Sequence, residues 1–307
     1  MIRRRAHPLA TWGLGAASVW LLLSGCQGGP PPQPTPEPSL PPLRFSKLDL
    51  QQSDPTGRPW WRLRSNQAVV DPKTRTATVK DLSGELFRDG KPLYRITGAQ
   101  GQVLQSAGEI RIQGQFIAEN LQDKTVITGR ELRWQPEKNE LTLLGNLVLK
   151  QPALEVKAQE ALIQTALQRV ALRRAVQVRT QKPVMDIRGE ALDWRWGAER
   201  LEASQPVQVI HQTAQIQVNA GRGAVDLRRE VIDLSSGVQV RRLNNQAQLQ
   251  ADQVQWTIPT QAFSAQGNVR YRQTRPPMAV AGRAAQGNLQ QQVIQVQGAD
   301  TEIYPGS

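Results

Sequence analysis

The feature that most constrains this chain is a six-residue phrase that recurs at a fixed distance. Gly129-Arg-Glu-Leu-Arg-Trp134 returns as Gly189-Glu-Ala-Leu-Asp-Trp194 and as Ala251-Asp-Gln-Val-Gln-Trp256. Thirteen residues after each Trp comes a short apolar run: Leu147-Val-Leu149, Val207-Gln-Val209 and Val269-Arg-Tyr271. Between these copies lie Ala158…Ile163…Val176 and Ala220…Val225…Val238, and the register extends outward through Ala68…Leu86, Gly98…Val103…Phe116 and Gly282-Arg283…Thr301-Glu-Ile303. On the final run the positions are 86, 116, 147, 176, 207, 238, 269 and 301, so about eight units of roughly 31 residues fill the chain. A period of this size means stacked supersecondary units, none of which buries its apolar face alone.

The unit reads as β-structure. Apolar residues alternate with Gln, Arg and Thr, the pattern of strands with one wet face. The recurring Gly or Ala at 68, 98, 129, 158, 189, 220 and 251 lets a neighbouring backbone approach closely or lets the strand bend. The residue five positions later then fills the interior beside it. Residues 153–176 are rich in Ala, Leu, Glu, Gln and Arg and look helical alone. They keep the repeat's phase, however, and are predicted as strands. Asp54-Pro-Thr-Gly57 and Asp71-Pro-Lys-Thr74 read as turns, and Asp89-Gly90 between two extended runs reads as a hairpin. Trp60–Arg64 and Ser65–Val70 read as two strands. The repeats run on with no long linker and no strong internal domain boundary, and the best candidate break lies near Gln181-Lys-Pro183.

The N-terminus sets the compartment. Arg3, Arg4 and Arg5 precede an uncharged stretch, Leu9 to Leu23, which ends in Leu23-Ser24-Gly25-Cys26. This is the form of an export signal over 1–26. Its last four residues resemble a bacterial lipobox, which makes Cys26 (the only cysteine) the lipidated first residue of the mature chain. The alternative is an uncleaved single transmembrane helix, for which Pro8 to Gly25 is short. Either form places the rest of the chain on the periplasmic side of a membrane. Residues 27–42 carry eight prolines and form an extended spacer that reaches on the order of 50 Å.

The chemistry-bearing residues are few. His7 lies in the signal, so His211 stands alone and reads as an ordinary strand residue. With no cysteine after Cys26, and no phosphate loop, nucleophile elbow or zinc-binding helix motif, the chain reads as a non-enzyme that needs no metal or cofactor. Recurring carboxylates such as Glu131, Glu160 and Glu190 fit solvated strand edges better than a paired acid and base. The formal charge of +12 falls to +9 without Arg3, Arg4 and Arg5 and favours anionic partners. The export signal argues against nucleic acid.

A family resemblance rests on residues 48–178. Gln51, Asp54, Gly57 and Trp61 lead into Asn66-Gln-Ala-Val-Val70, followed by Leu86-Phe-Arg-Asp-Gly-Lys-Pro-Leu-Tyr-Arg-Ile96 and by the phrase at 129–141. This ordered set resembles the lipopolysaccharide-export LptC family, and the repeats from about 180 onward resemble LptA/OstA-type bridge repeats. The resemblance implies an elongated, open antiparallel β-jellyroll, with an LptC-like part over 43–180 and LptA/OstA-like repeats over 181–307. It implies an apolar groove that takes lipopolysaccharide from the inner-membrane Lpt ABC transporter complex. An LptA-like bridge protein would join by edge-strand addition and carry the lipid toward the outer membrane. The strand phase offers Val103, Phe116, Trp134, Ile163, Trp194, Val225 and Trp256 as groove residues, with core packing the alternative role of the Trp column. Arg130, Arg133, Arg195 and Arg222 are candidates for headgroup contacts at the groove's mouth, with solvated strand faces the alternative and the more usual role. The competing class is a non-transporting envelope scaffold or surface lipoprotein built on the same repeat.

Overall fold

The computed structural model describes residues 41–302, apart from Asn245, 275–276, 289–290, 292 and 299. The signal, Cys26 and most of the proline spacer lie outside the described residues, as does Ile303 at the end of the last repeat unit. The described chain is a succession of antiparallel strands. It opens with β1 (Leu43–Phe45), β2 (Leu48–Ser53), β3 (Pro59–Asp71), β4 (Thr76–Arg88), β5 (Lys91–Leu104), β6 (Glu109–Asn120) and β7 (Val126–Gln135). It continues with β8 (Glu140–Gln151), β9 (Leu154–Gln164), β10 (Arg169–Gln181), β11 (Val184–Arg195), β12 (Arg200–Ala203), β13 (Val207–His211), β14 (Ile216–Ala220) and β15 (Arg222–Asp226). The series closes with β16 (Val231–Arg242), β17 (Gln248–Thr257), β18 (Ala262–Thr274), β19 (Pro277–Asn288), β20 (Val293–Gln297) and β21 (Asp300–Glu302).

The long strands pair with the strands that precede and follow them in the chain, so one 31-residue unit is a pair of antiparallel strands. β12 and β13 act as two halves of one interrupted strand, both pairing with β11; β14 and β15 do the same against β16. The stretch with helical composition forms β9 and β10, as the repeat phase predicts, because its apolar residues line one face and packing outweighs propensity. Asp89 and Gly90 both take positive φ (52° and 75°) in the tight β4–β5 turn. The region expected as two strands at Trp60–Val70 is instead one, β3. Its bend at Ser65 is held by the side chain, whose hydroxyl lies 2.7 Å from the Gln67 carbonyl and 2.6 Å from the Lys80 carbonyl.

Nearly every long strand bends at its middle, and the bends have a local cause. Left-handed pairs Gly145-Asn146, Arg174-Ala175, Ser236-Gly237 and Gly267-Asn268, and Gly114 alone, sit where the register shifts by a bulge. Each is followed by a buried apolar residue: Leu147, Val176, Val238, Val269 and Phe116. With Val207, these form a seam along the stack. Across the strand ladder every seam residue faces a small one: Phe116 faces Gly98 and Gly129, Leu147 faces Ala158, and Val176 faces Gly189. Val207, Val238 and Val269 face Ala220, Ala251 and Gly282. The recurring small residue therefore makes room for the neighbouring strand's large one, not for the residue five positions on. Burying each such Val, Leu or Phe contributes about 1.5–3 kcal/mol.

The bend divides each strand into two halves, giving two faces joined at the seam. Alternate residues of both halves point inward and form two clusters of buried side chains, one over β3–β9 and one over β9–β19, with Leu172 against both. The core thus changes over at β9 and β10, whereas Gln181–Pro183 is only the turn between β10 and β11. β1 and β2 pair only with β3, and β20 and β21 only with β19, so each end of the stack keeps strand edges without a partner among the described residues.

Candidate functional site

On one side of the seam lie the half-strands over 100–104, 109–113, 131–135 and their counterparts as far as 262–266, here the first half-strands, with the second half-strands on the other side. The first half-strands carry one apolar residue each at the level farthest from the seam, and the ladder joins these residues into a single row. The register runs from Val103 through Ile110, Trp134, Leu141, Ile163, Val170, Trp194 and Leu201 to Val225, Ile232, Trp256 and Phe263. Six of the seven groove residues expected from the strand phase lie on this row. Phe116 does not: it is a fully buried seam residue, two levels deeper, because the bulge after Gln113 resets the count.

The row changes character along the stack. Val103 is buried, at 7% exposure. Trp134 is half-buried and meets the opposite side edge-on, its ring 6.3 Å from Trp60 and 5.9 Å from Trp61. The Trp61 indole N–H donates to Gln52 Oε1 at 2.9 Å, which fixes this aromatic closure. Trp134 is thus a core residue here, not a free groove wall. Trp194 departs in the other direction. It is 41% exposed, belongs to neither buried cluster, and stands T-shaped against Trp196 at 6.2 Å. Ile163 packs half-buried against the first cluster, and Val225 is half-buried between Leu201 and Ile232.

Trp256 meets the second face again. His211, at the outer end of β13, lies 6.2 Å from the Trp256 ring and accepts a hydrogen bond from the Ala214 N–H at Nδ1, 3.1 Å away. The Trp256 indole nitrogen is buried without a hydrogen-bond partner. The two faces therefore touch at Trp60/Trp61–Trp134 and at His211–Trp256, and the stretch between them, around Trp194, is where the row is most open. The strand phase did not place Trp60, Trp61 or His211 in this arrangement. The adjacent Trp60-Trp61 pair was the only signal available for it.

The four arginines expected at the mouth lie instead on the outward phase of their strands. Arg133 lies 2.6 Å from Glu131, whose hydrogen bond raises the guanidinium pKa above its usual value. Arg195 reaches Glu202 at 3.6 Å. Arg130 packs its stem over Gly145, and Arg222 lines an outer-face depression of about 400 Å³. A second trough, about 690 Å³, lies on the outward side of the other half-strands. Among the described residues no cluster of His, Cys, Asp and Glu is arranged to hold a metal ion, and no helix is long and apolar enough to cross a membrane.

Fold and rim together define an antiparallel β-stack of the jellyroll kind, with a continuous apolar interior that reaches a half-exposed rim. Residues 13–142 match the family described as "Lipopolysaccharide-assembly, LptC-related", a match that ends inside β8. Among solved structures, the chain is similar to LptH of Pseudomonas aeruginosa, described as the LptA homologous periplasmic component of the lipopolysaccharide transport device. That similarity has 15% identity over 33% of this chain and 75% of LptH, with a TM-score of 0.30. No curated protein matches the sequence.

Proposed function

We propose that this chain is a periplasmic component of lipopolysaccharide transport, anchored at the inner membrane through lipidated Cys26. It would accept the acyl chains of lipopolysaccharide in the interior of the β-stack and pass them toward the outer membrane. The observation that carries the reading is the LptC-related match over 13–142, followed without interruption by further strands of the same apolar interior. In this reading 43–180 acts as the LptC-like part and 181–307 as LptA/OstA-like extension. The inner-membrane ABC transporter complex supplies the lipid, and an LptA-like protein pairs with a free strand edge by strand addition.

The closure of Trp134 by Trp60 and Trp61 directs the proposed lipid contact to the part of the row around Ile163, Trp194 and Val225. Val103, Phe116 and Trp134 support that surface from within the core, and Trp256 bounds it. Depleting the protein in its own cells tests the role. Lipopolysaccharide accumulating at the inner membrane is the expected result. Unchanged lipopolysaccharide distribution with a weakened envelope would favour the scaffold reading instead.

A further inference from the structure

The outward sides of the two faces differ in how their arginines are satisfied. On the first half-strands most arginines are paired, Arg133 with Glu131 at 2.6 Å, Arg173 with Asp193 at 2.9 Å and Arg195 with Glu202 at 3.6 Å, whereas Arg222 has no ion pair among the described residues. On the second half-strands, from β11 to β18, Arg188, Arg241, Arg270 and Arg272 make no ion pair among the described residues. Their cross-strand neighbours are amides or alanines, never carboxylates. Arg188 stands opposite Gln177 and Gln208, Arg241 opposite Gln217 and Gln248, Arg270 opposite Gln250 and Ala281, and Arg272 opposite Gln248 and Ala279. The carboxylate nearest in the ladder, Asp186, is already held by Arg179 at 3.2 Å.

This face is also concave. The trough of about 690 Å³ is lined by Gln177, Arg188, Gln208, Asn219 and Gln239 together with apolar residues such as Pro206, with Glu190 at its bulged end receiving the Ala175 N–H at 3.3 Å. Side-chain amides offer a donor and an acceptor together, as a sugar hydroxyl does, and a guanidinium fork matches phosphate or carboxylate. No aromatic side chain stands among these residues to stack a base, and a flat bilayer would not fill a trough. From Arg188 to Arg270 is five strand spacings, about 24 Å, the reach of an extended chain rather than of one small molecule.

We infer that this outer face binds an anionic, phosphorylated oligosaccharide, separately from the apolar interior. Arg188 takes an anionic group in the trough, the Gln177–Gln239 amides take hydroxyls, and Arg241, Arg270 and Arg272 extend the site across the sheet. Only the choice of probe rests on the proposed transport role.

The test uses the full chain in detergent and lipopolysaccharide oligosaccharide stripped of all acyl chains, so the apolar interior has nothing to bind. Isothermal calorimetry would compare this probe, the same probe after phosphatase treatment, and vesicles containing phosphatidylglycerol. Saturable binding of the phosphorylated probe is expected. It should weaken at least 10-fold on dephosphorylation and at least 10-fold in an Arg188→Gln/Arg270→Gln double variant. Arg195→Gln/Arg200→Gln, the same charge change on the other face, should leave it unchanged. Circular dichroism would verify that both variants fold. Lack of saturable binding, equal affinity in the two double variants, or indifference to dephosphorylation would overturn the inference. So would arginine-dependent binding seen with the vesicles alone, which would make the face a membrane-contact surface. None of these outcomes bears on acyl-chain binding inside, so the two proposals fail separately.

Discussion

The seam offers the most quantitative test of how this sequence makes this fold. Phe116 is fully buried, and a Cβ added at Gly129 would lie 2.6 Å from Phe116 Cε1 and 2.6 Å from Leu147 Cδ2. Gly129 carries no left-handed φ, so Gly129→Ala acts through crowding alone. Overpacking a filled site costs about 1–3 kcal/mol, and here two neighbours must give, so about 2 kcal/mol is expected. Phe116→Ala alone leaves a cavity and should cost about 3–5 kcal/mol. In the double variant the phenyl contacts are gone and Leu147, a flexible side chain, can turn aside, so Gly129→Ala should then cost about 0.5–1 kcal/mol. The coupling is therefore about 1–1.5 kcal/mol, well above the roughly 0.3–0.5 kcal/mol scatter of independent sites. Urea unfolding followed by far-ultraviolet circular dichroism at 25 °C measures all four corners of the cycle. Additive costs would refute the claim that large and small residues interlock along the seam.

Other positions give sharper contrasts. Trp134→Ala removes two edge-on aromatic contacts and should cost about 2–4 kcal/mol, whereas Trp194→Ala, at a 41% exposed side chain, should change stability by less than about 1 kcal/mol; the urea midpoints compare them. Ala175 holds φ 52° beside Arg174 at φ 64°, in a left-handed pair whose counterparts at 145–146, 236–237 and 267–268 each include a glycine, so Ala175→Gly should stabilise by about 0.5–1 kcal/mol, read as a raised midpoint. The Asp54 carboxyl is held below its usual pKa by the Thr56 hydroxyl and then by the Arg58 and Thr56 N–H groups. Because that pKa is depressed on folding, its contribution is present above the unfolded carboxylate value of about 3.9 and is lost as pH falls through the folded value. Thermal scans between pH 6 and pH 2.5 should show a smaller acid-side loss for Asp54→Asn than for the parent protein.

What the sequence displays and what it hides follow from the range of the interactions involved. Strand pairing is local, so the 31-residue period, the hairpin at Asp89-Gly90 and the strand character of 153–176 are visible as spacing. The rim row is visible for the same reason: Val103, Trp134, Ile163, Trp194, Val225 and Trp256 share one phase and pair in succession through the ladder. Phe116 is misplaced by phase counting because a bulge inserts residues between Gln113 and Phe116, and a bulge has no consistent composition here: Gly145-Asn146 and Arg174-Ala175 make the same bend. The contacts between faces are hidden altogether. Trp61 and Trp134, or His211 and Trp256, meet only after several bends accumulate, and no periodicity within one strand records that. The four arginines take the solvated strand faces that are the alternative to headgroup contact, since residues next to an inward-facing position on a strand point outward.

The central claim is that the inward-facing row carries the acyl chains of lipopolysaccharide where it is most open. Its most direct test is site-specific photocrosslinking in living cells, with the photoreactive residue at 194 on the inward phase or at 195 on the outward phase. Lipopolysaccharide adducts at 194 and none at 195 are the expected result. With the protein folded and anchored, absence of adducts at 194, or equal adducts at both positions, would contradict the account.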